Sequence, residues 1–302
     1  MKKLIYTFCL ITILSSCMNT TERKITADNK PGDYFEGKQL KMAQAIYDRN
    51  INEIARLITV EHFDVNGRGV EPKYTYLGYA VLINAVPAAA SLLKNGADVN
   101  APSIQTNLGI RTNISIACDQ KNQEMIKLLI AHHADLNPKL SASPLNGLVI
   151  NNADKSLIDL LITEGANVNH RNYVSGTMPV FTALDINRFD LITYFLDKGA
   201  DPLRTDYKGN SLAFLIQSDL GKGNLNGEVA NKYADLKHLL ETTYHVTFPV
   251  KREARKALEA AIKTYESLPE NDKKLLGERD LKRYKKDKDN LIKGVDGFGN
   301  PL

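Results

Sequence analysis

A three-residue phrase that returns at a nearly constant interval constrains this chain more than anything else in it. It reads Asp64-Val65-Asn66, Asp98-Val99-Asn100, Asp135-Leu136-Asn137, Asn167-Val168-Asn169 and Asp201-Pro202-Leu203, with steps of 34, 37, 32 and 34 residues. Gly96-Ala97, His133-Ala134, Gly165-Ala166 and Gly199-Ala200 stand immediately before it. The apolar pairs Leu92-Leu93, Leu129-Ile130, Leu161-Ile162 and Phe195-Leu196 lie at one fixed offset upstream. Each unit therefore closes with an amphipathic helix, a left-handed residue and a turn. Glycine supplies the positive φ at a helix end. An Asp or Asn side chain bonds back to nearby backbone and starts the turn. His133 takes the glycine slot in one copy, as a residue type that tolerates positive φ.

A second phrase opens each unit. The copies are Thr75-Tyr76-Leu77-Gly78-Tyr79-Ala80, Thr112-Asn113-Ile114-Ser115-Ile116-Ala117, Ser143-Pro144-Leu145-Asn146-Gly147-Leu148, Met178-Pro179-Val180-Phe181-Thr182-Ala183 and Asn210-Ser211-Leu212-Ala213-Phe214. Thr, Ser or Asn there can cap the following helix, and Pro suits its first turn. A period of this size marks units that cannot bury their apolar faces alone and must stack.

The period, the Thr-Pro-Leu-like opening and the Gly-Ala-Asp-Val-Asn close resemble the ankyrin repeat, over residues 39–248. The resemblance implies an all-α, ankyrin-repeat solenoid of about five to six helix-turn-helix units with a helical C-terminal extension. The first unit is atypical, with helices expected near 39–49 and 52–59. The last is degenerate: Leu239-Leu240 keeps the apolar pair, but Thr243 stands for Gly and His245 for Asp, and a Gly- and Asn-rich insertion at 221–227 separates its helices. Atypical ends suit a stack, whose terminal units must present a polar face. In ankyrin stacks the hairpin tips and first helices line a concave face that binds proteins. The tips fall near 68–76, 103–111, 139–143, 172–177 and 205–210. Tyr and Arg most often anchor interfaces, so the expected contacts are Arg68, Tyr74, Tyr76, Arg111, Arg171, Tyr173, Arg204 and Tyr207.

The opening of the chain sets the expected compartment. Lys2 and Lys3 precede an apolar run at 4–14, then Ser15, Ser16 and Cys17. Basic, apolar and small-residue regions in this order read as a secretory signal peptide. The run is shorter than the roughly 20 apolar residues that span a bilayer as a helix. Leu14-Ser15-Ser16-Cys17 resembles a bacterial lipobox, which implies cleavage after Ser16 and lipid on Cys17. Met18 follows the cysteine, similar to an outer-membrane sorting signal. The polar stretch up to Asp33 reads as a tether spanning roughly 20–25 Å. The expected boundaries are a signal peptide at 1–16, a lipidated tether at 17–33, repeats at 34–248 and a charged helical extension at 249–302. Of three cysteines, Cys9 leaves with the signal, Cys17 carries lipid and Cys118 reads as a buried apolar residue.

In the extension, 253–268 and 272–293 read as helices. Ala257, Leu258, Ala261, Ile262 and Tyr265 form an apolar stripe expected to close the end of the stack, and 294–302 reads as frayed. The basic run at 282–288 reads as a solvated helix face, with contact to anionic lipid headgroups as the sharper alternative.

The sequence holds no G-x-S-x-G, H-E-x-x-H, C-x-x-C or Walker motif. Its recurring carboxylates occupy turn positions. The expectation is a non-enzyme with no cofactor and no metal. A net charge of +4, without aromatic interleaving among the basic residues, argues against nucleic acid. The layout, with Asp33-Tyr34-Phe35 and Ala43-Gln44-Ala45-Ile46-Tyr47, is similar to lipid-anchored ankyrin proteins that act as immunity proteins against type VI secretion phospholipases. That resemblance implies a periplasm-facing protein on the outer membrane that neutralises a secreted phospholipase toxin by binding it. An envelope scaffold organising resident proteins is the alternative, and a hydrolase the more distant one.

Overall fold

The computed structural model describes residues 28–70, 73–106, 109–173 and 176–302. The expected signal peptide, Cys17 and most of the tether lie outside the described residues. In chain order the helices are α1 (Gly37–Tyr47), α2 (Ile51–Thr59), α3 (Tyr76–Leu82), α4 (Val86–Lys94), α5 (Asn113–Asp119), α6 (Gln123–Ala131) and α7 (Pro144–Ile150). They continue with α8 (Lys155–Thr163), α9 (Pro179–Asp185), α10 (Phe189–Asp197), α11 (Leu212–Lys222), α12 (Gly227–Thr242), α13 (Ala254–Glu266) and α14 (Glu270–Lys293). A short 3-10 helix at Pro31–Asp33 and two short strands, β1 (Ile104–Thr106) and β2 (Gly109–Arg111), are the other elements among the described residues. The chain divides into two compact units: residues up to Thr106 with Asn122–Ala134, and Asn107–Lys121 with Asp135–Leu302.

In the first unit α1 pairs with α2, α3 with α4, and α4 packs on both α2 and α6. The interior is made of Ala43, Ala45, Ile46, Ile54, Leu57, Ala80, Ala88, Ala89 and Leu92, all buried. Alanine at so many facing positions lets the helix axes approach closely. Side-chain caps start the helices: Asn50 Oδ1 accepts from the Glu53 amide (3.1 Å), Thr75 Oγ1 from Gly78 (2.9 Å) and Asn122 Oδ1 from Met125 (3.0 Å).

The folded body begins earlier than the sequence suggests. The Tyr79 hydroxyl donates to the Asn29 carbonyl at 2.9 Å, and Pro31 is buried. Phe35 stacks on Tyr76 (5.4 Å between centroids) and meets Tyr79 edge-on (5.3 Å), while Tyr34 meets Tyr74 edge-on (5.3 Å). Residues 29–33, placed at the end of the tether by sequence, join Tyr34 and Phe35 in an aromatic plug on the first unit.

In the second unit α7 packs between α5 and α9, α8 and α10 pack behind α7 and α9, and α11 pairs with α12. Thr112 and Ser211 cap their helices through the Ser115 and Phe214 amides. Ser143 and Met178 make no capping bond, and there Pro144 and Pro179 fix the first turn instead.

The recurring phrase does what its residue types allow. The left-handed slot is filled by Gly96 (φ +92°), His133 (φ +64°), Gly165 (φ +102°) and Gly199 (φ +88°). In the last unit the positive φ falls on His245 (+55°), not on Thr243. The first side chain of each phrase accepts from the amide two residues on, in Asp64–Asn66 (3.0 Å), Asp98–Asn100 (2.9 Å), Asp135–Asn137, Asn167–Asn169 and Asp201–Leu203 (2.8 Å each). The closing Asn reaches onward to the next repeat. In the first unit Asn66 Oδ1 accepts from the Asp98 amide (2.8 Å) and Asn100 Nδ2 donates to the His133 carbonyl (3.1 Å). In the second unit Asn137 binds the Asn167 amide and Gly165 carbonyl, and Asn169 binds the Asp201 amide and Gly199 carbonyl, at 2.8–3.0 Å. Leu203 fills the Asn position in the last phrase, and the ladder ends there.

Candidate interaction surface

The extension does not close the end of the stack; it lies against the hairpin tips of the second unit. α13 and α14 pair with each other. Tyr265 and Leu276 join Ile110 and Tyr173 in one buried cluster, against which Leu140, Leu268, Leu275 and Tyr284 pack. Ile110, Leu140 and Tyr173 come from three successive tips. The Arg283 guanidinium sits 5.0 Å from the centre of the Tyr173 ring. At the next tip the Glu253 amide donates to the Gly209 carbonyl (2.9 Å) and Arg252 Nε to that of Lys208 (2.8 Å). A Cβ on Gly209 would lie 2.4 Å from the Ala254 nitrogen, so the approach requires glycine as much as its φ of +81° does. Gln217 clamps the lead-in by accepting from the Val250 amide (2.8 Å) and donating to its carbonyl (3.0 Å).

The apolar stripe is buried at Ala257, Leu258, Ile262 and Tyr265, while Ala261 is half-buried. Its amphipathic pattern showed that a face is covered, not what covers it. α14 is interrupted at Gly277 (φ +74°) rather than running straight. Residues 294–302, which read as frayed, form a tied turn: Val295 bridges Pro301, and the Leu302 amide donates to the Gly294 carbonyl at 3.0 Å.

Three of the eight expected contact residues are core. Tyr76 (2% exposed) and Tyr74 (8%) pack against the plug, and Tyr173 (3%) packs under the extension, so none presents its ring to a partner. Burial pushes the phenols of Tyr76 and Tyr173 up to about 12. Arg68 is half-buried and donates to the Pro102 carbonyl at 2.8 Å, which fixes one tip internally. Arg111 pairs with Asp119. Tyr207 is half-buried beside Gly176. Arg171 is half-buried, and Arg204 is exposed. The structure thus brings Arg171, Tyr173, Arg204 and Tyr207 under or beside the extension, with Arg204 still exposed to solvent.

Periodicity gave no sign of the residues that hold the extension, Arg252, Asp296, Arg283 and Asp280, because they belong to no repeat. Asp280 (1% exposed) pairs with Arg279 (2.9 Å) and Arg283 (3.1 Å). Cys118 is a buried free thiol, and burial pushes its pKa up. Among the described residues no group of three or more His, Cys, Asp or Glu could hold a metal ion, and no helix is long and apolar enough to cross a membrane.

No family model matches the chain. Among solved structures it is similar to the ankyrin repeat domain of Bcl-3, a member of the IkappaB protein family, at 20% identity and a TM-score of 0.53. That match covers 62% of this chain and 82% of the other. The fold is that of the ankyrin repeat. In ankyrin terms the opening Thr or Ser, the glycine slot and the Asp-x-Asn close recur, with Met178 replacing the Thr in one copy, His133 the Gly in another and Leu203 the last Asn. The departures are the aromatic plug, the degenerate last repeat and the extension across the tips.

Proposed function

We propose that this ankyrin chain is a non-catalytic protein-binding module and that it acts as an immunity protein, neutralising a secreted phospholipase toxin. The observation that carries the reading is where the polar side chains of the repeat go. Asp98, Asp135, Asn167 and Asp201 accept from turn amides, and Asn100, Asn137 and Asn169 tie one repeat to the next. These recurring polar side chains serve the turns and the stacking, which supports a reading in which the surface is the working part. The lipobox-like Leu14-Ser15-Ser16-Cys17 supports a lipid anchor facing the periplasm, where such a toxin would meet its substrate.

Affinity capture from solubilised membranes with the full chain as bait tests the reading. The expected result is stoichiometric recovery of a secreted lipase whose activity falls on binding. Deleting the gene is expected to sensitise cells to that lipase. Cells that stay fully resistant to every neighbouring secreted toxin would overturn the immunity role. Recovery of resident envelope proteins with no lipase would favour a scaffold.

A further inference from the structure

One cleft of the second unit gathers cations that form no ion pair among the described residues. Its volume is about 390 Å³, and Lys139, His170, Arg171, Arg204, Ser267 and Asp272 are among the residues that line it. Lys139 and His170 come from consecutive repeat loops, Arg171 follows His170, Arg204 comes from the next loop, and Ser267 and Asp272 come from the α13–α14 junction. Arg171, Arg204 and Lys139 form no ion pair among the described residues. Arg171 Nε is buried and has no hydrogen-bond partner among the described residues. Arg204 is close enough for its charge to act on Arg171; burial first, and Arg204 second, hold the Arg171 pKa below the ordinary guanidinium range.

Two like charges close together, one with a buried donor unsatisfied, are stabilised when an anion joins them. Asp272 lines the cleft itself, and Asp206 acts on Arg171 by its charge from outside the lining. Asp206 accepts from the Lys208 and Asn210 amides, and Asp135 from Asn137. His170 Nε2 lies 3.1 Å from the Pro138 carbonyl, and burial holds its pKa down, so it adds no charge near neutral pH. Among the lining residues Lys139, Arg171 and Arg204 outnumber Asp272, and the charge of Asp206 reduces this positive balance without cancelling it, which suits a phosphate group. Arginine forks match phosphate oxygens in pairs.

We infer that this cleft is an oxyanion site that binds a phosphate group through Arg171, Arg204 and Lys139. The phosphate is carried by a lipid headgroup or by a small soluble molecule. Calorimetric titration of the full chain with inorganic phosphate, at constant ionic strength in chloride, tests it. Saturable binding is expected. Arg204→Ala and Lys139→Ala should each weaken it about tenfold or more. Arg204→Lys, which keeps the charge and loses the fork, should weaken it less. Arg255→Ala, an exposed arginine of α13 outside the cleft, should leave it unchanged. Flotation with phosphatidylglycerol vesicles that is lost in Arg204→Ala identifies a headgroup; phosphate binding without flotation identifies a soluble ligand. Absent saturation, or binding indifferent to both Arg204→Ala and Lys139→Ala, overturns the site. So does binding of a glutamate-rich peptide with no response to phosphate, which would assign the cleft to an acidic protein partner.

Discussion

Arg252 Nη1 donates to Asp296 Oδ2 across 2.7 Å, joining the residue that leads into α13 to the turn that follows α14. Asp296 is 4% exposed, and its carboxylate also accepts from the Phe298 amide (2.8 Å) and the Asn300 amide (2.9 Å). Burial alone would raise its pKa. The Arg252 bond and those from Asn300 and Phe298 outweigh burial and hold it well below the usual carboxylate range. A folded-state pKa below the unfolded one stabilises above the unfolded value and is lost as pH falls through the folded value. The extension should therefore stay docked at pH 5 and release only in strong acid. Asp296→Ala should cost about 2–4 kcal/mol and speed hydrogen exchange over 294–302 at neutral pH. Exchange rates equal to wild type would show that the pair is not what holds the turn.

The cluster beneath the extension makes opposite predictions for two tyrosines. The Tyr173 hydroxyl is buried with no partner among the described residues. Tyr173→Phe removes an unsatisfied polar group and should be neutral or stabilising by about 1 kcal/mol. Tyr265 stacks on Tyr284 at 4.6 Å between centroids. Tyr265→Ala should cost about 3–5 kcal/mol. Urea unfolding curves of the two variants should shift to opposite sides of wild type, or at most coincide with it for Tyr173→Phe.

The asparagine ladder gives a third test. Asn169→Ala leaves the Gly199 carbonyl and Asp201 amide without their side-chain partner. A loss of about 1–3 kcal/mol is expected, read by thermal unfolding. Leu203→Ala, at the equivalent position past the end of the ladder and 50% exposed, should change stability by less than about 0.5 kcal/mol.

His170 sets a pH dependence. Burial holds its folded-state pKa below 6.5, and the bond to Pro138 opposes this only in part. The unfolded chain takes up the proton first as pH falls, so stability drops below pH 6.5. His170→Gln should flatten that part of the stability profile. An unchanged slope between pH 6.5 and 5 would show that the imidazole is not the group responsible.

The repeat was legible because its signals are local. The Asp98 carboxylate acts two residues away, and Gly96 acts on its own φ, so residue type and spacing were enough. Tyr76 was misjudged for a different reason. Thr75 capping α3 already places Tyr76 on a first turn, but the ring is covered by Phe35, distant in sequence, and packs close to Gly67. The extension shows the same limit. Ala257, Leu258, Ile262 and Tyr265 are visibly one face, yet nothing in their spacing names Ile110 and Tyr173 as the surface they meet. Arg171 and Arg204 were picked as interface types. That they share a cleft follows from the stacking of successive loops.

The extension reaches Ile110, Leu140, Tyr173 and Gly209 in turn, one from each of four consecutive loops. Ankyrin arrays ordinarily tolerate gain or loss of a repeat, since each unit meets only its neighbours. Here duplication or deletion of one repeat between Ile110 and Gly209 would put Tyr265, Leu276 and Glu253 out of step with their loops. Residues 249–302 thus work as a gauge of how many repeats lie between Ile110 and Gly209.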